Sequence, residues 1–237
     1  MFPAFRSAII ARRAAASTAS VRRYACCSAP CGRPSHERYY PHPRHLLRQK
    51  RALSFSFAGP RKLDEIMKLE MVEDKSSKDV KDLWLSFHEG RERTHGLVLN
   101  GKRCRSVLAR AAQCPFFIQP VFRDEGFFTL VSQFQTPSHF LMAYLEDYKM
   151  DPTNAQPLIT YSVFDDLVDS HGMGLVRIDV INNAIEDGEA LLAVGAMLDS
   201  YGKDEEFTNI HAFNKKPEAF DFDDYISRQN QRWKVGS

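Results

Sequence analysis

The chain has 237 residues and a net charge of +2, from 32 lysines and arginines against 30 acids. That balance hides a division, because residues 1–59 hold eleven of the basic residues and a single acid, Glu37. Residues 60–237 therefore hold 21 basic and 29 acidic residues, which argues against nucleic acid as the main partner of this body. No window approaches the roughly 18 uninterrupted apolar residues that a membrane span needs, so we expect no stable membrane insertion.

Residues 1–59 have the composition of a targeting segment. They are rich in Arg, Ala and Ser, and the apolar residues Phe2, Phe5 and Ile9 recur at helical spacing. An Arg-rich, acid-poor amphipathic start is typical of a mitochondrial presequence, whereas a disordered basic arm that binds RNA is the alternative. We predict a presequence and linker, mostly disordered, over 1–59, and a single domain of the mitochondrial matrix over 60–237.

The domain is predicted to begin with helices. Residues 63–72 form an amphipathic segment too short to be stable as a helix alone, so it either packs on the domain or docks into a groove of a partner. Ser76 and Asp79 have the spacing of a helix N-terminus. One face of that helix carries four apolar residues: Val80, Leu83, Trp84 and Phe87. A second helix is predicted over 102–113, and Pro115 stops it.

A β-hairpin is predicted next, from two aromatic and β-branched runs. Residues 116–122 and 127–134 flank a polar corner at 123–126 that contains a glycine. Pro120 cannot donate to a ladder, so the first strand lies at an edge or carries a bulge there.

The second half of the chain alternates strands with helical segments. Strands are predicted over 138–148, 158–164, 175–181 and 207–213. Helical segments are predicted over 164–170 and 188–201, with a C-terminal helix opened by Pro217. This order predicts an α+β fold, with a mostly antiparallel sheet, helices packed against it, and N-terminal helices before it.

One near-motif concerns nucleotides. The stretch from Gly96 to Lys102 matches GxxxxGK, but Arg103 stands where a Ser or Thr should bind magnesium. A loop followed by a helix N-terminus is the favoured interpretation, and a degenerate nucleotide-binding enzyme is the alternative. The histidines show no metal-ligand spacing, and Cys104 and Cys114 fit small buried hydrophobes, so no metal, cofactor or catalytic site is predicted.

The stretch AAQCPFFIQPVFRDEGFFTLVSQF resembles a known family, the mitochondrial ATP synthase assembly factors that act as chaperones for the β subunit of the catalytic head. The matching residues are Cys114, Pro115, Pro120, Arg123, Glu125, Gly126, Phe127 and Phe128. LDEIMKLE with the Trp84 helix is similar to the opening block of that family, and GLVRIDVI through FDFDDYI to its closing block. The resemblance covers about residues 63–226, although the long charged helical linker of the family is absent and the loop at 149–157 is particular to this chain.

The resemblance implies a non-enzymatic chaperone, monomeric when free. It would bind the free β subunit and prevent its aggregation until the α subunit pairs with it, because an unpaired subunit exposes an apolar interface. Two groups of residues are predicted to make that contact. The N-terminal docking group is Leu63, Ile66, Met67 and Leu69, and the hairpin docking group is Arg123, Glu125, Phe127 and Phe128.

Overall fold

The computed structural model describes residues 60–124 and 126–236. The predicted presequence over 1–59 and Glu125 of the hairpin docking group lie outside the described residues, so the division of the chain at residue 59 stays a prediction. The described residues form seven α-helices: α1 Ser77–Glu89, α2 Gly101–Gln113, α3 Leu145–Met150, α4 Val168–His171, α5 Asp187–Gly202, α6 Asp204–Lys215 and α7 Phe222–Gly236.

Six strands form one wholly antiparallel sheet in the order β1-β6-β5-β4-β3-β2. The strands are β1 Thr94–Asn100, β2 Phe116–Arg123, β3 Gly126–Gln135, β4 His139–Tyr144, β5 Pro157–Phe164 and β6 Met173–Val180. The predicted α+β class with an antiparallel sheet is therefore confirmed. The predicted hairpin is confirmed as β2 and β3, and Pro120 lies on an edge strand, opposite Thr129 in an unbroken register.

Helix α1 covers the β1 and β6 side of the sheet. Its first turn is capped as expected, since the Ser76 side chain accepts a hydrogen bond from the Asp79 N–H at 3.2 Å. Its buried residues are Val80, Trp84 and His88, and the Trp84 indole N–H donates to the Val176 carbonyl at 3.3 Å. Leu83 and Phe87, which the sequence pattern places on the same face as Trp84, are instead 47% and 41% exposed. The buried stripe follows i, i+4, i+8, so these two residues lie beside it.

The N-terminal segment 63–72 packs on the domain. It forms two short 3-10 turns, Leu63–Glu65 and Leu69–Met71, rather than one helix. Leu63 and Val72 are buried in a cluster with Trp84, Phe164 and Leu175. The end of the segment is held by His171, whose Nε2–H donates to the carbonyls of Val72 and Lys75 at 3.1 and 3.2 Å. Of the two alternatives for this segment, the structure shows the packed one.

Helix α2 starts directly after β1 and packs over the opposite face of the sheet. The Asn100 side chain caps it by accepting from the Arg103 N–H at 2.8 Å. Cys104, Val107 and Ala111 are buried, as is Cys114 at its C-terminal end, so the prediction of buried cysteines is confirmed. Burial raises the pKa of the Cys104 thiol to about 12.

Helices α5, α6 and α7 complete this layer. Phe117 of β2 makes edge-on ring contacts with Phe213 of α6 and Tyr225 of α7, at centroid distances of 5.5 and 5.1 Å. Phe140 and Tyr161 stack at 4.4 Å across β4 and β5, and Tyr201 of α5 packs against Phe140. Aromatic side chains from three strands and three helices thus form the core between the sheet and this layer.

Three sequence predictions of secondary structure are corrected. The predicted strand at 207–213 is helix α6, which begins with three acids that suit a helix N-terminus and buries Ile210 and Phe213 three residues apart. The strand predicted over 138–148 ends at Tyr144, and α3 follows. Pro217 opens a 3-10 turn rather than α7. At the start of α7, the N–H groups of Asp223 and Asp224 donate to the Asp221 carboxylate.

Strand β1 was not predicted. Its seven residues contain a glycine and no regular alternation of apolar and polar side chains, so the sequence favoured a loop there. Its strand partner β6 lies about 80 positions later, and pairing with β6 is what orders it.

Candidate docking surface

The described residues hold neither a candidate metal-ion cluster nor a candidate membrane-spanning helix. Over 60–124 and 126–236, no group of three or more His, Cys, Asp or Glu side chains is placed to hold a metal ion. In the same part of the chain, no helix combines the length and the apolar character needed to cross a membrane.

The GxxxxGK stretch does not form a phosphate-binding loop. Residues from Gly96 to Asn100 lie in β1, and Gly101 is the first residue of α2. A strand therefore precedes the helix, but it ends where the helix begins, and no loop remains to surround a phosphate. The Gly101 N–H donates to the Gly172 carbonyl at 2.7 Å, and the Arg103 N–H donates to the Asn100 side chain, so neither is free to bind a phosphate.

Gly96 has a packing role instead. A Cβ at this position would lie 2.7 Å from His88 Nδ1 and 2.8 Å from Trp84 Nε1. Since real Cβ atoms do not approach other atoms so closely, the glycine allows α1 to lie directly on β1. The match to a nucleotide motif at this position follows from helix-on-sheet packing.

Within the N-terminal docking group, burial separates the residues. Leu63 is buried, so in this conformation it holds the segment in place and offers little to a partner. Ile66, Met67 and Leu69 are half-buried against the Trp84 cluster and keep part of their surface in solvent. Met71, which the sequence analysis did not single out, is 67% exposed. The solvent-facing part of the segment is thus apolar, and Met71 presents most of it.

Within the hairpin docking group, Arg123 is held by contacts inside the molecule. Its Nε and a terminal nitrogen donate to the two carboxylate oxygens of Glu189 at 2.6 and 2.8 Å, and the same terminal nitrogen donates to the Ala184 carbonyl. The guanidinium lies 4.9 Å from the ring centroid of Phe128. The hydrogen bonds from Arg123 lower the pKa of Glu189. A bidentate pair of this kind fixes the hairpin to the N-terminus of α5.

The phenylalanines of the hairpin divide in the same way. Phe128 is half-buried beside Tyr144, at a ring distance of 5.2 Å. Phe127 is 48% exposed, and its ring lies 5.5 Å from Phe122, which in turn contacts Trp233 of α7 at 5.9 Å. Phe127 is therefore the member of the group that faces solvent on top of an aromatic cluster.

The structure does not bring the two docking groups together. The N-terminal group packs on the ends of β5 and β6, whereas the hairpin belongs to β2 and β3, with β4 between them in the sheet. A partner that uses both groups would have to extend across the sheet.

Further exposed apolar residues were missed or misassigned in the sequence. They are Met71, Leu83, Phe87, Met150 and Ile181. Leu83 and Phe87 share the i, i+3, i+4, i+7 pattern with Val80 and Trp84, so that pattern alone does not separate them from the buried residues. Met150 ends α3 and Ile181 follows the last residue of β6, where periodicity gives no direction.

Two buried histidines are neutral at physiological pH. His139 Nδ1 lies 3.0 Å from the Ser162 hydroxyl, and burial lowers its pKa to about 4. His88 donates through Nδ1 to the Trp84 carbonyl at 2.8 Å, and burial lowers its pKa as well. Neither provides a positive charge for an acidic partner near pH 7.

Comparison with known proteins gives a consistent set of matches. A protein-family model described as ATP11 protein matches residues 19–226. Curated relatives include ATP synthase mitochondrial F1 complex assembly factor 1 of Homo sapiens, 22% identical over 184 residues, and that of Danio rerio, 24% identical over 166 residues. The alignments cover 77% and 69% of this chain and 56% and 54% of the relatives. The chain thus spans about half the length of the curated relatives it matches.

Proposed function

The chain belongs to the ATP11 protein family, and we propose that it is an assembly factor that binds the free β subunit of mitochondrial ATP synthase. The observation that carries this proposal is the family match over residues 19–226, which takes in most of the described domain. The names of the curated relatives support a role in assembly of the F1 complex. The match confirms the resemblance that the Cys114–Phe128 stretch indicated.

The physical role proposed is to cover an apolar interface until the correct subunit arrives. A β subunit without its α neighbour exposes an interface-sized apolar surface, which aggregates unless it is occupied. The chaperone must leave when α binds, so its own contact has to be weaker than the α–β contact, and a modest, partly polar surface is sufficient. The chain acts as a monomer and without ATP hydrolysis in this scheme.

The solvent-facing residues of the two docking groups are proposed to make the contact. Ile66, Met67 and Leu69, with Met71 added, present half-buried and exposed apolar surface on a segment without regular helix or strand. Phe127 presents an exposed ring at the hairpin. Leu63 and Arg123 support these surfaces from within, and Phe122 contacts the Phe127 ring at a centroid distance of 5.5 Å. Phe128 and Glu125 complete the hairpin docking group in the sequence.

The location proposed is the mitochondrial matrix, after removal of a presequence from residues 1–59. The arginine-rich, acid-poor composition of that segment supports it. Import into isolated mitochondria, followed by mass spectrometry of the mature N-terminus, tests it. Recovery of the intact chain from the matrix would contradict cleavage and would favour the alternative of a retained basic arm.

The function is tested by mixing the full chain with isolated β subunit and following light scattering. We expect aggregation to fall in proportion to the chain added, and the chain to be released when α subunit is supplied. If the β subunit aggregates equally with and without the chain, the proposal is wrong.

The surface is tested with Met71→Asp, Phe127→Asp and a matched control, Met150→Asp. All three residues are exposed, Met150 most of all at 84%, so none of the changes should unfold the domain. Loss of one apolar contact and entry of a charge should weaken capture of the β subunit about ten-fold in the first two variants, since burying such a side chain is worth about 1.5–3 kcal/mol. Met150→Asp should bind as the unaltered chain does.

A further inference from the structure

The backbone of β1 leaves one side of the sheet open. In an antiparallel pair, residues alternate between those that bond to the neighbouring strand and those whose N–H and C=O point away. The Arg93 carbonyl accepts from the Val180 N–H at 2.8 Å just before β1, and the Gly101 N–H bonds to Gly172 just after it. With the continuous register between β1 and β6, these bonds direct the backbone groups of Thr94, Gly96 and Val98 outward.

These outward groups lack partners in the part of the chain that the structure describes. All three residues are half-buried, and for Gly96, which has no side chain, this means that its backbone is partly exposed to solvent. No described residue bonds to the backbone of Gly96 or Val98. Strand β1 also contains no Lys, Arg, Asp, Glu or Pro, which are the residues that commonly block an exposed edge.

The side chains beside this edge indicate what could pair with it. Val98 and Leu85 are half-buried apolar residues that pack on the Trp84 cluster, and Leu97 is half-buried on the other face. A strand added to β1 would cover all three while it bonded to the outward backbone groups. The fitting occupant is an extended, uncharged segment with apolar side chains, since cross-strand neighbours prefer similar chemistry.

We propose that the β1 edge accepts an extended segment of the unassembled client subunit as a seventh strand. This inference rests on the proposed chaperone function, and it adds a backbone-mediated contact to the side-chain contacts of the docking groups. Pairing through backbone groups suits a transient chaperone, because it gives affinity without the large interface of a permanent partner.

A second copy of this chain fits the edge less well. Two copies joined through β1 would contribute seven residues each, whereas stable interfaces use about 20–30 residues a side. A contact of that size is too small for a stable dimer, but it is adequate as one part of a temporary complex with a client that also touches other surfaces.

The test uses Val98→Pro in the full chain, with Val98→Thr as its matched control. Because the Val98 N–H points outward, proline removes a donor from the open edge and leaves the β1–β6 ladder intact. Threonine keeps the N–H and the branched shape. Urea unfolding of both variants checks that their stabilities agree before binding is measured.

Binding to the isolated β subunit and amide exchange of the complex then give the answer. We expect Val98→Pro to bind at least ten-fold more weakly, Val98→Thr to bind within three-fold of the unaltered chain, and the amides of Gly96 and Val98 to become protected in the complex. Equal binding of both variants, without new protection of these amides, would overturn the edge contact and leave the chaperone function standing.

Two other results would also overturn the proposal. If the unaltered chain dimerises with increasing concentration in light-scattering measurements and Val98→Pro abolishes the dimer, the edge is a self-interface. If the unaltered chain does not bind the β subunit at all, both the proposed function and the edge contact are wrong.

Discussion

The two edge strands of the sheet, β1 and β2, differ in how the rest of the chain covers their outward backbone groups. Along β2, Asn214 of α6 bonds to both the N–H and the carbonyl of Phe116, and the Tyr225 hydroxyl of α7 donates to the Ile118 carbonyl. The next outward residue is Pro120, which has no N–H, and its carbonyl accepts from the Gln119 side chain. Along β1, only the faces of the strand are packed.

The domain thus protects the β2 edge of its sheet and leaves the β1 edge accessible. Edge strands invite pairing with other chains, and helices or prolines usually suppress it. Here the C-terminal helices suppress it at β2, while α1 stabilises β1 from above through Trp84 and leaves its outer row of backbone groups free. The comparison predicts that the two edges respond differently to removal of their supports.

The largest effect is expected from Trp84→Ala, which removes the support of β1. Trp84 is about 1% exposed and fills the space over Gly96, so its loss should lower the free energy of unfolding by about 3–5 kcal/mol. Leu83→Ala, on the exposed side of the same helix, should cost about 1 kcal/mol or less. Urea denaturation measures both, and similar values for the two variants would contradict the role assigned to Trp84.

A reference from the middle of the sheet sharpens the comparison. His139 of β4 has a native pKa of about 4, below the ordinary value of 6.5, so above pH 6.5 it is neutral in both states and has no effect. As pH falls from 6.5 towards 4, the unfolded chain binds the proton first, and stability should fall by up to about 3 kcal/mol.

The contribution of His139 is isolated by comparing unfolding at pH 7 and pH 5 in two variants. His139→Asn should flatten the pH dependence over this range, whereas His211→Asn, at an exposed position of α6, should retain it. An unchanged slope in His139→Asn would show that burial of this histidine does not govern acid stability.

The smallest effect is expected at β2, from Asn214→Ala. It removes two hydrogen bonds to the Phe116 backbone and should lower the free energy of unfolding by about 1–3 kcal/mol, while exposing part of the β2 edge. Hydrogen exchange should then reach the Phe116 amide faster. Asn209→Ala is the control, since Asn209 lies on the same helix and bonds to Arg228. Equal exchange at Phe116 in both variants would mean that Asn214 does not close this edge.

The sequence predicted the hairpin well because its information is local. The signals for β2, β3 and the edge position of β2 all lie close together in the sequence. They are two aromatic runs, a glycine with φ of 153° at the corner, and a proline in one strand. The capped start of α1 and the stop of α2 at Cys114 are local in the same sense.

The elements that sequence reasoning missed depend on distant partners. Strand β1 becomes a strand by pairing with β6, and Gly96 looks like part of a nucleotide motif until α1 is seen lying on it. The sequence predicts a strand in place of α6 because its apolar residues are spaced ambiguously in a short window, and packing of Phe213 against Phe117 of β2 favours the helix.

The candidate docking residues show the same limit. Arg123 reads as an exposed charge in the sequence, and its partner Glu189 lies 66 positions away, so its clamping role is not visible there. Met71 ends a 3-10 turn of three residues, which is too short for periodicity to indicate a direction for its side chain. Residue types identify candidate docking residues, but only their packing shows which of them face solvent and which support the surface from within.

The latch between His171 and the N-terminal segment has a consequence for the order in which the domain forms. Val72 and His171 are 99 positions apart. Strand β1 depends on the same region of the chain, since its strand partner β6 starts at Met173. During synthesis, residues 60–170 are all made before either contact can close. Contacts so distant in sequence slow folding, because a long loop must be ordered before they form. Pairing of β6 with both β5 and β1 is therefore what joins β1 to the rest of the sheet.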